Sequence, residues 1–284
     1  MENILIIDGN NLLFQMFYGM PSKIHNKSGQ TIHATIGFIS ATLRLIKLVN
    51  ASKVICVFDD DGSQERKDEY EDYKANRTID YEALPADENP FNEEEKIIKC
   101  LESMDISILK SKNMEADDLI ASLAYLYKQD KKVYISSFDS DFFQLIDNNV
   151  SIIRYKGKNS KIIDENVFFN DFNFNPNKYV FYKSLVGDSA DNIKGITGIG
   201  KKRASNIVNN CIDFDDLIIK ANCLLPKKIA ETINEQKDVF LRNNNIILLT
   251  YKAEIIYDLN DFGFDESKLS LTNSQILSMN KIFD

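Results

Sequence analysis

Ile4-Leu5-Ile6-Ile7-Asp8 is an apolar, largely β-branched run that stops on an acid, and the same pattern returns twice further along the chain. Val54-Ile55-Cys56-Val57-Phe58 stops at Asp59, and Val133-Tyr134-Ile135-Ser136-Ser137-Phe138 stops at Asp139. Runs of this length and composition read as buried strands. Between them apolar residues fall at helix spacing: Ile36, Ile39, Leu43 and Ile46, then Leu119, Ile120, Leu123, Ala124 and Tyr127. Strand and helix in alternation predict an α/β domain, a mostly parallel sheet flanked by helices on both faces. Ligands of such sheets bind beyond the carboxyl ends of the strands, so Asp8, Asp59 and Asp139 are expected on one rim. One aspartate at such a place is usually a turn former or a helix N-cap. Three in the same place ask for a shared purpose.

From about Pro176 the pattern turns helical with short loops: Tyr179 to Val186, Ala204 to Val208, Asp216 to Ala221, Ile229 to Ile233 and Val239 to Leu248. A larger domain over 1–175 and a smaller helical one over 176–284 are therefore expected. With 284 residues, 44% apolar and 27% charged, the chain has ample material for a folded core. No apolar run approaches the ~20 residues needed to span a bilayer. Met1 leads straight into the first strand without a basic flank, so a cytoplasmic protein with no membrane partner is expected. Cys56, Cys100, Cys211 and Cys223 form no C-x-x-C pair, and His25 and His33 are too few for a histidine site, which argues against zinc and disulfides. The net charge of −9 comes from one segment: residues 60–95 hold fourteen acids and four bases, while the remainder is nearly balanced. A wholly basic wrapper for nucleic acid is excluded, but local basic patches are not.

Three constellations carry chemistry. The first is acidic. Glu115, Asp117 and Asp118 open a helix, Asp139 and Asp141 stand two apart, and Asp188 and Asp191 stand three apart, on one face of a helical turn. With Asp8 and Asp59 these make nine carboxylates that an α/β fold can gather at one rim. Like charges so close need a cation among them, and all-oxygen ligands suit Mg²⁺ or Mn²⁺. Two such ions are the usual device for attack on a phosphodiester. The second is Gly195-Ile196-Thr197-Gly198-Ile199-Gly200-Lys201-Lys202-Arg203, a glycine-rich turn with three cations, suited to holding a nucleic-acid backbone without reading its bases. The third is Arg66-Lys67 with Tyr73-Lys74-Ala75-Asn76-Arg77, cations and an aromatic suited to a single strand or a frayed end. Read blandly, these segments are helix caps, a solvated basic turn and an ion-paired helix.

In combination the motifs Ile7-Asp8-Gly9, Val57-Phe58-Asp59, Tyr73 to Arg77, Glu115 to Asp118, Asp139-Ser140-Asp141 and Gly187-Asp188 through Ala204 resemble the bacterial and phage 5′-nuclease, or flap endonuclease, family. That family includes the 5′-3′ exonuclease domain at the N-terminus of DNA polymerase I. Ser140 and Gln15 stand where relatives often carry lysine and arginine. The resemblance implies a PIN-like core, a helical arch near 70–100, and a helix-three-turn-helix motif near 188–210 that grips duplex DNA, with a possible K⁺. It implies two Mg²⁺ or Mn²⁺ ions: Asp8, Asp59, Glu115 and Asp117 mainly for the first, Asp141, Asp188 and Asp191 for the second, Asp139 near both, and Asp118 in the ligand shell or structural. Lys74 and Arg77 would act at the scissile phosphate and the 5′ end, Arg66 and Tyr73 would steer that end, and Gly198, Gly200, Lys201, Lys202 and Arg203 would hold the duplex. The expected protein is a stand-alone, monomeric 5′-3′ exonuclease or flap endonuclease acting on 5′ flaps, 5′ ends and RNA-DNA primer junctions in replication and repair. Its rivals are a catalytically weak paralogue that binds branched DNA and, less well matched, a small-molecule phosphatase using Asp139 and Asp141. Crowded carboxylates also lead one to expect that neutralising Asp188 or Asp191 stabilises the metal-free protein.

Overall fold

The structure is a computed structural model that describes residues 2–59, 65–112, 114–251, 262–264 and 266–284. The first five residues of the acidic segment 60–95 lie outside the described residues. Strand β1 (Asn3–Asp8) is the centre of a six-stranded sheet. It pairs in parallel with β2 (Lys53–Asp59) on one side and β4 (Lys132–Ser136) on the other. Beyond these lie β3 (Ser107–Ser111) and β5 (Val150–Arg154), both parallel, and β6 (Lys161–Ile163), which closes one edge antiparallel. The order β3-β2-β1-β4-β5-β6 turns back at β1, the kind of crevice where α/β sheets bind ligands.

Ile4, Leu5, Ile6 and Ile7 are all fully buried because both faces of the sheet are covered. Leu5 and Ile7 meet α1 (Gly9–Gly19), α2 (His33–Val49) and α4 (Glu94–Glu102), whereas Ile4 and Ile6 meet α5 (Ala116–Tyr127). Between α2 and α4 runs the short helix α3 (Glu65–Glu69). The expected helical arch is corrected here. Residues 70–89 form turns, a 3₁₀ turn covers Pro90–Glu93, and 94–102 are a core helix that buries Ile97, Cys100 and Leu101. Pro85, Pro90 and the lack of apolar periodicity keep the intervening segment from forming a regular helix.

The second lobe is built from α6 (Glu165–Phe172), α7 (Tyr179–Val186), α8 (Lys201–Asn210), α9 (Phe214–Leu224), α10 (Lys227–Glu235) and α11 (Lys237–Ile247). Phe143, Phe168, Phe172, Phe174, Tyr179 and Tyr182 interlock mostly edge to face, with Phe168 stacked on Phe172, so the core of the α5 face runs on without a break into this lobe. The last helix, α12 (Asn273–Met279), does not belong with these neighbours as the span 176–284 implied. It returns to the nuclease core, where Ile276 and Leu277 join the cluster on α2. No described helix is long and apolar enough to cross a membrane.

Candidate active site

Asp8 and Asp59 end β1 and β2 as the sequence pattern indicated, but β4 stops at Ser136 and Asp139 follows in a loop. The strand ends early because side chains take over its backbone. Phe138 N–H donates to Asn11 Oδ1 at 2.9 Å, and Arg154 donates to the Ser137 carbonyl at 2.8 Å. Ser137 Oγ donates to Asp8 at 2.6 Å and accepts the Asp139 N–H at 2.9 Å, which ties the two acids together. Asp59 accepts the backbone N–H of Ala116 at 2.9 Å and the Ser111 hydroxyl at 3.1 Å, so its carboxylate holds the start of α5. That start carries Glu115 and Asp117 to the same rim.

Asp139 is the centre of the arrangement electrostatically. Its charge acts on Asp8 and Asp117 on one side, and on Asp141 and Asp191 on the other. Burial first, and neighbouring acids second, push the Asp117 carboxyl well above the usual range. Burial lifts Asp8 to about 7 against the hydrogen bonds from Ser137 and Asn11 that oppose it. Burial likewise lifts Asp141 to about 7, against the nearby Lys183 ammonium.

Asp188 and Asp191 reach the rim from the other lobe on a two-stranded hairpin, β7 (Gly187–Asp188) and β8 (Ile193–Lys194). Gly187 adopts φ +77°, and a Cβ there would lie 2.4 Å from the Gly195 backbone nitrogen, while a Cβ on Gly195 would lie 2.4 Å from the Val186 carbonyl carbon; so close an approach needs glycine at both positions. Asn243 of α11, fully buried, donates to the Ser184 carbonyl at 3.0 Å and the Lys194 carbonyl at 2.8 Å, fastening the hairpin to α7. Oxygens of Asp141, Asp188 and Asp191 thereby come within 4.8 Å of one another.

Sequence patterns missed the residue that sits between them. Lys183 of α7 is 4% exposed, contacts both Asp141 and Asp188, and lies 3.2 Å from Ser140 Oγ. Burial raises the Asp188 carboxyl, but the Lys183 ammonium beside it wins and holds it below the usual range. A lysine on an apolar helix turn gives no signal by spacing alone.

Arg66 and Tyr73 stand apart from their expected roles, and Asp118 takes the structural one of its two. Arg66 is buried: its guanidinium reaches Glu115 at 2.7 Å and Asp118 at 2.8 Å, and its Nε donates to the Ile246 carbonyl at 3.0 Å. Turned inward by two carboxylates, it is not placed to steer a DNA end. Asp118 also accepts Thr250 N–H at 2.9 Å, so its carboxylate is engaged as a structural partner of Arg66. Tyr73 is buried with its hydroxyl donating to Glu115 at 3.1 Å, which leaves no ring face for a base. Lys74 and Arg77 do line the rim. Lys74 Nζ lies 2.9 Å from Glu115, its backbone has φ +55°, and its N–H donates to the Asp191 carbonyl at 3.0 Å. Arg77 pairs with Asp191 at 2.7 Å while more than half of its side chain stays exposed. Burial pushes the Glu115 carboxyl up, but Lys74 and Arg66 together hold it below the usual range.

The glycine-basic turn lies just beyond β8. Gly198 has φ +82°, Gly200 is the N-cap of α8, and Lys201, Lys202 and Arg203 are exposed in its first turn. Arg203 donates to the Gly198 carbonyl at 2.5 Å, closing the turn on itself.

Two family descriptions match the two lobes: the 5′-3′ exonuclease N-terminal resolvase-like domain over residues 3–173, and the 5′-3′ exonuclease C-terminal SAM fold over 174–270. The chain belongs to the 5′-3′ exonuclease family. It is 31% identical to the 5′-3′ exonuclease of Mycoplasmopsis pulmonis over 250 residues, covering 87% of this chain and 80% of that one. It is also 28% identical to DNA polymerase I of Caldicellulosiruptor bescii over 93% of this chain, a match confined to 31% of that polymerase. The fold is similar to the phage T5 flap endonuclease in a complex with DNA and metal ions, with a TM-score of 0.70 and 23% identity over 99% of this chain and all of that one.

Proposed function

We propose that this nuclease is structure-specific, cutting DNA or RNA-primer phosphodiesters at 5′ flaps as a monomer with two divalent ions, Mg²⁺ or Mn²⁺. One observation carries the reading: carboxylates from both lobes converge on Asp139, with Lys74 and Arg77 at their mouth. The donor set fits hard divalent cations, since it is all oxygen and three of its carboxylates already lie within 4.8 Å. Asp8, Asp59, Glu115 and Asp117 would hold the first ion, Asp141, Asp188 and Asp191 the second, with Asp139 between them. When bound, such ions supply Lewis-acid activation of water and neutralise charge on the phosphodiester. The chain's own part is positional. Ser137 and Asn11 aim Asp8, the Ala116 N–H aims Asp59, and Arg66 with Tyr73 hold Glu115. Lys74 and Arg77 meet the phosphate and the 5′ end, and Lys201, Lys202 and Arg203 hold the duplex behind it. A K⁺ at the turn 195–200 fits less well, because the Gly198 carbonyl is engaged by Arg203 and the Ile196 carbonyl by Ile199, and no step depends on it.

A 5′-labelled flapped duplex, a blunt duplex and a free single strand, each with Mg²⁺ or with EDTA, test the reading. Cleavage at the flap junction in Mg²⁺ alone is expected. Equal cleavage of all three substrates would refute structure specificity, and binding without turnover would favour the weak paralogue.

A further inference from the structure

Lys183 places a buried ammonium on two of the three carboxylates assigned to the second ion, with Ser140 Oγ a third contact at 3.2 Å. Packing alone does not explain it, because an apolar side chain of similar length would fill the same space without desolvating a charge. Nor does Lys183 reach out to substrate: its side chain is 5% exposed, against 58% for Arg77. In the first group Glu115 meets cations, Arg66 and Lys74, while Asp8 and Asp59 are held by hydroxyls and backbone N–H groups; in the second group all three acids are paired with cations, Asp141 and Asp188 with Lys183 and Asp191 with Arg77. The two halves of the site therefore differ in what an incoming ion meets.

We propose that Lys183 is a built-in counter-cation for the second carboxylate group. It neutralises Asp141 and Asp188 when no ion is there, and it must leave them before the second ion binds. The first ion meets less competition, so the ions load in order and the second binds more weakly. The inference rests on the two-ion reading given above.

Mn²⁺ titrations of the metal-free full chain, followed by calorimetry and electron paramagnetic resonance, test it in wild type, Lys183→Met and Lys183→Arg. Wild type and Lys183→Arg should bind a second ion weakly; Lys183→Met should bind it about tenfold more tightly, a shift of ~1.4 kcal/mol, with the first ion unchanged. A merely structural lysine would leave the second affinity unchanged or weaken it, and that result overturns the inference while two-ion binding stands. If wild type and both variants each bind one ion at saturation, the two-ion reading fails and takes the inference with it. Should Lys183→Met not fold, acetylation of Lys183 in wild type gives the answer by mass spectrometry. Its reactivity should rise across the concentration range of the second ion, and constant reactivity would overturn the proposal.

Discussion

Asp188 shows how one neighbour reverses the meaning of an acid. Repulsion among carboxylates alone implies that neutralising either hairpin aspartate stabilises the metal-free protein. Lys183 changes that for Asp188, whose carboxyl is held below its usual range, whereas burial leaves Asp191 above it despite Lys74 and Arg77. Asp188→Asn should therefore melt below wild type in EDTA and Asp191→Asn at or above it; thermal unfolding of both variants checks the pair, and the opposite order would contradict the role of Lys183. Arg66 is the second case. Removing it as Arg66→Met leaves Glu115 and Asp118 buried without their partner, so about 3–5 kcal/mol should be lost in urea unfolding, whereas a residue that merely touched DNA would leave stability unchanged. The acids were legible in the sequence because they end apolar runs or open a helix. The partners of those acids were not, since Arg66 and Tyr73 find Glu115 and Asp118 42 to 52 residues away through the fold, and Lys183 finds Asp141 42 residues away.

Helices and strands with strong periodicity read correctly: β1, β2 and β4 from their apolar runs, and α2, α5 and α7 to α11 from helix spacing. The strands β3, β5 and β6 escaped notice because they are short and interrupted by Ser107, Lys110, Ser151 and Lys161, so their pairing comes from neighbouring strands and not from their own pattern. Hairpin β7-β8 was hidden for a different reason: two glycines eight residues apart announce a close approach only when the backbones are seen to touch. Gly187→Ala should cost at least ~1–3 kcal/mol, since alanine suits neither φ +77° nor the close approach of Gly195. It should also weaken binding of the second Mn²⁺ ion by displacing Asp188; unchanged ion binding would detach the hairpin from the site. The start of α8 behaves as a separate element. Replacing Lys201, Lys202 and Arg203 together by alanine should weaken duplex binding and lower the slope of log affinity against log salt by roughly one for each phosphate no longer neutralised. An unchanged slope would show that this turn does not meet DNA.

The whole molecule is two lobes that share one apolar core and contribute acids to one rim, so its stability is tied to what occupies that rim. Asp8 and Asp141 have folded values of about 7, above their ordinary 3.8, so the native state holds extra protons between about pH 4 and pH 7. Native-state protons stabilise, and stability of the metal-free protein should fall as pH rises through that window and level off above it. Asp8→Asn should flatten the fall, and Mg²⁺ or Mn²⁺ at neutral pH should raise the melting temperature by binding the folded state. A melting temperature that rises with pH in EDTA would show that other groups dominate. The central claim is that this rim, organised about Asp139, performs the hydrolysis. Its most direct test is the rate of flap cleavage by Asp139→Asn in saturating Mg²⁺, with binding of the same flapped duplex measured alongside. Cleavage abolished with binding retained is the predicted result; cleavage at the wild-type rate would contradict it.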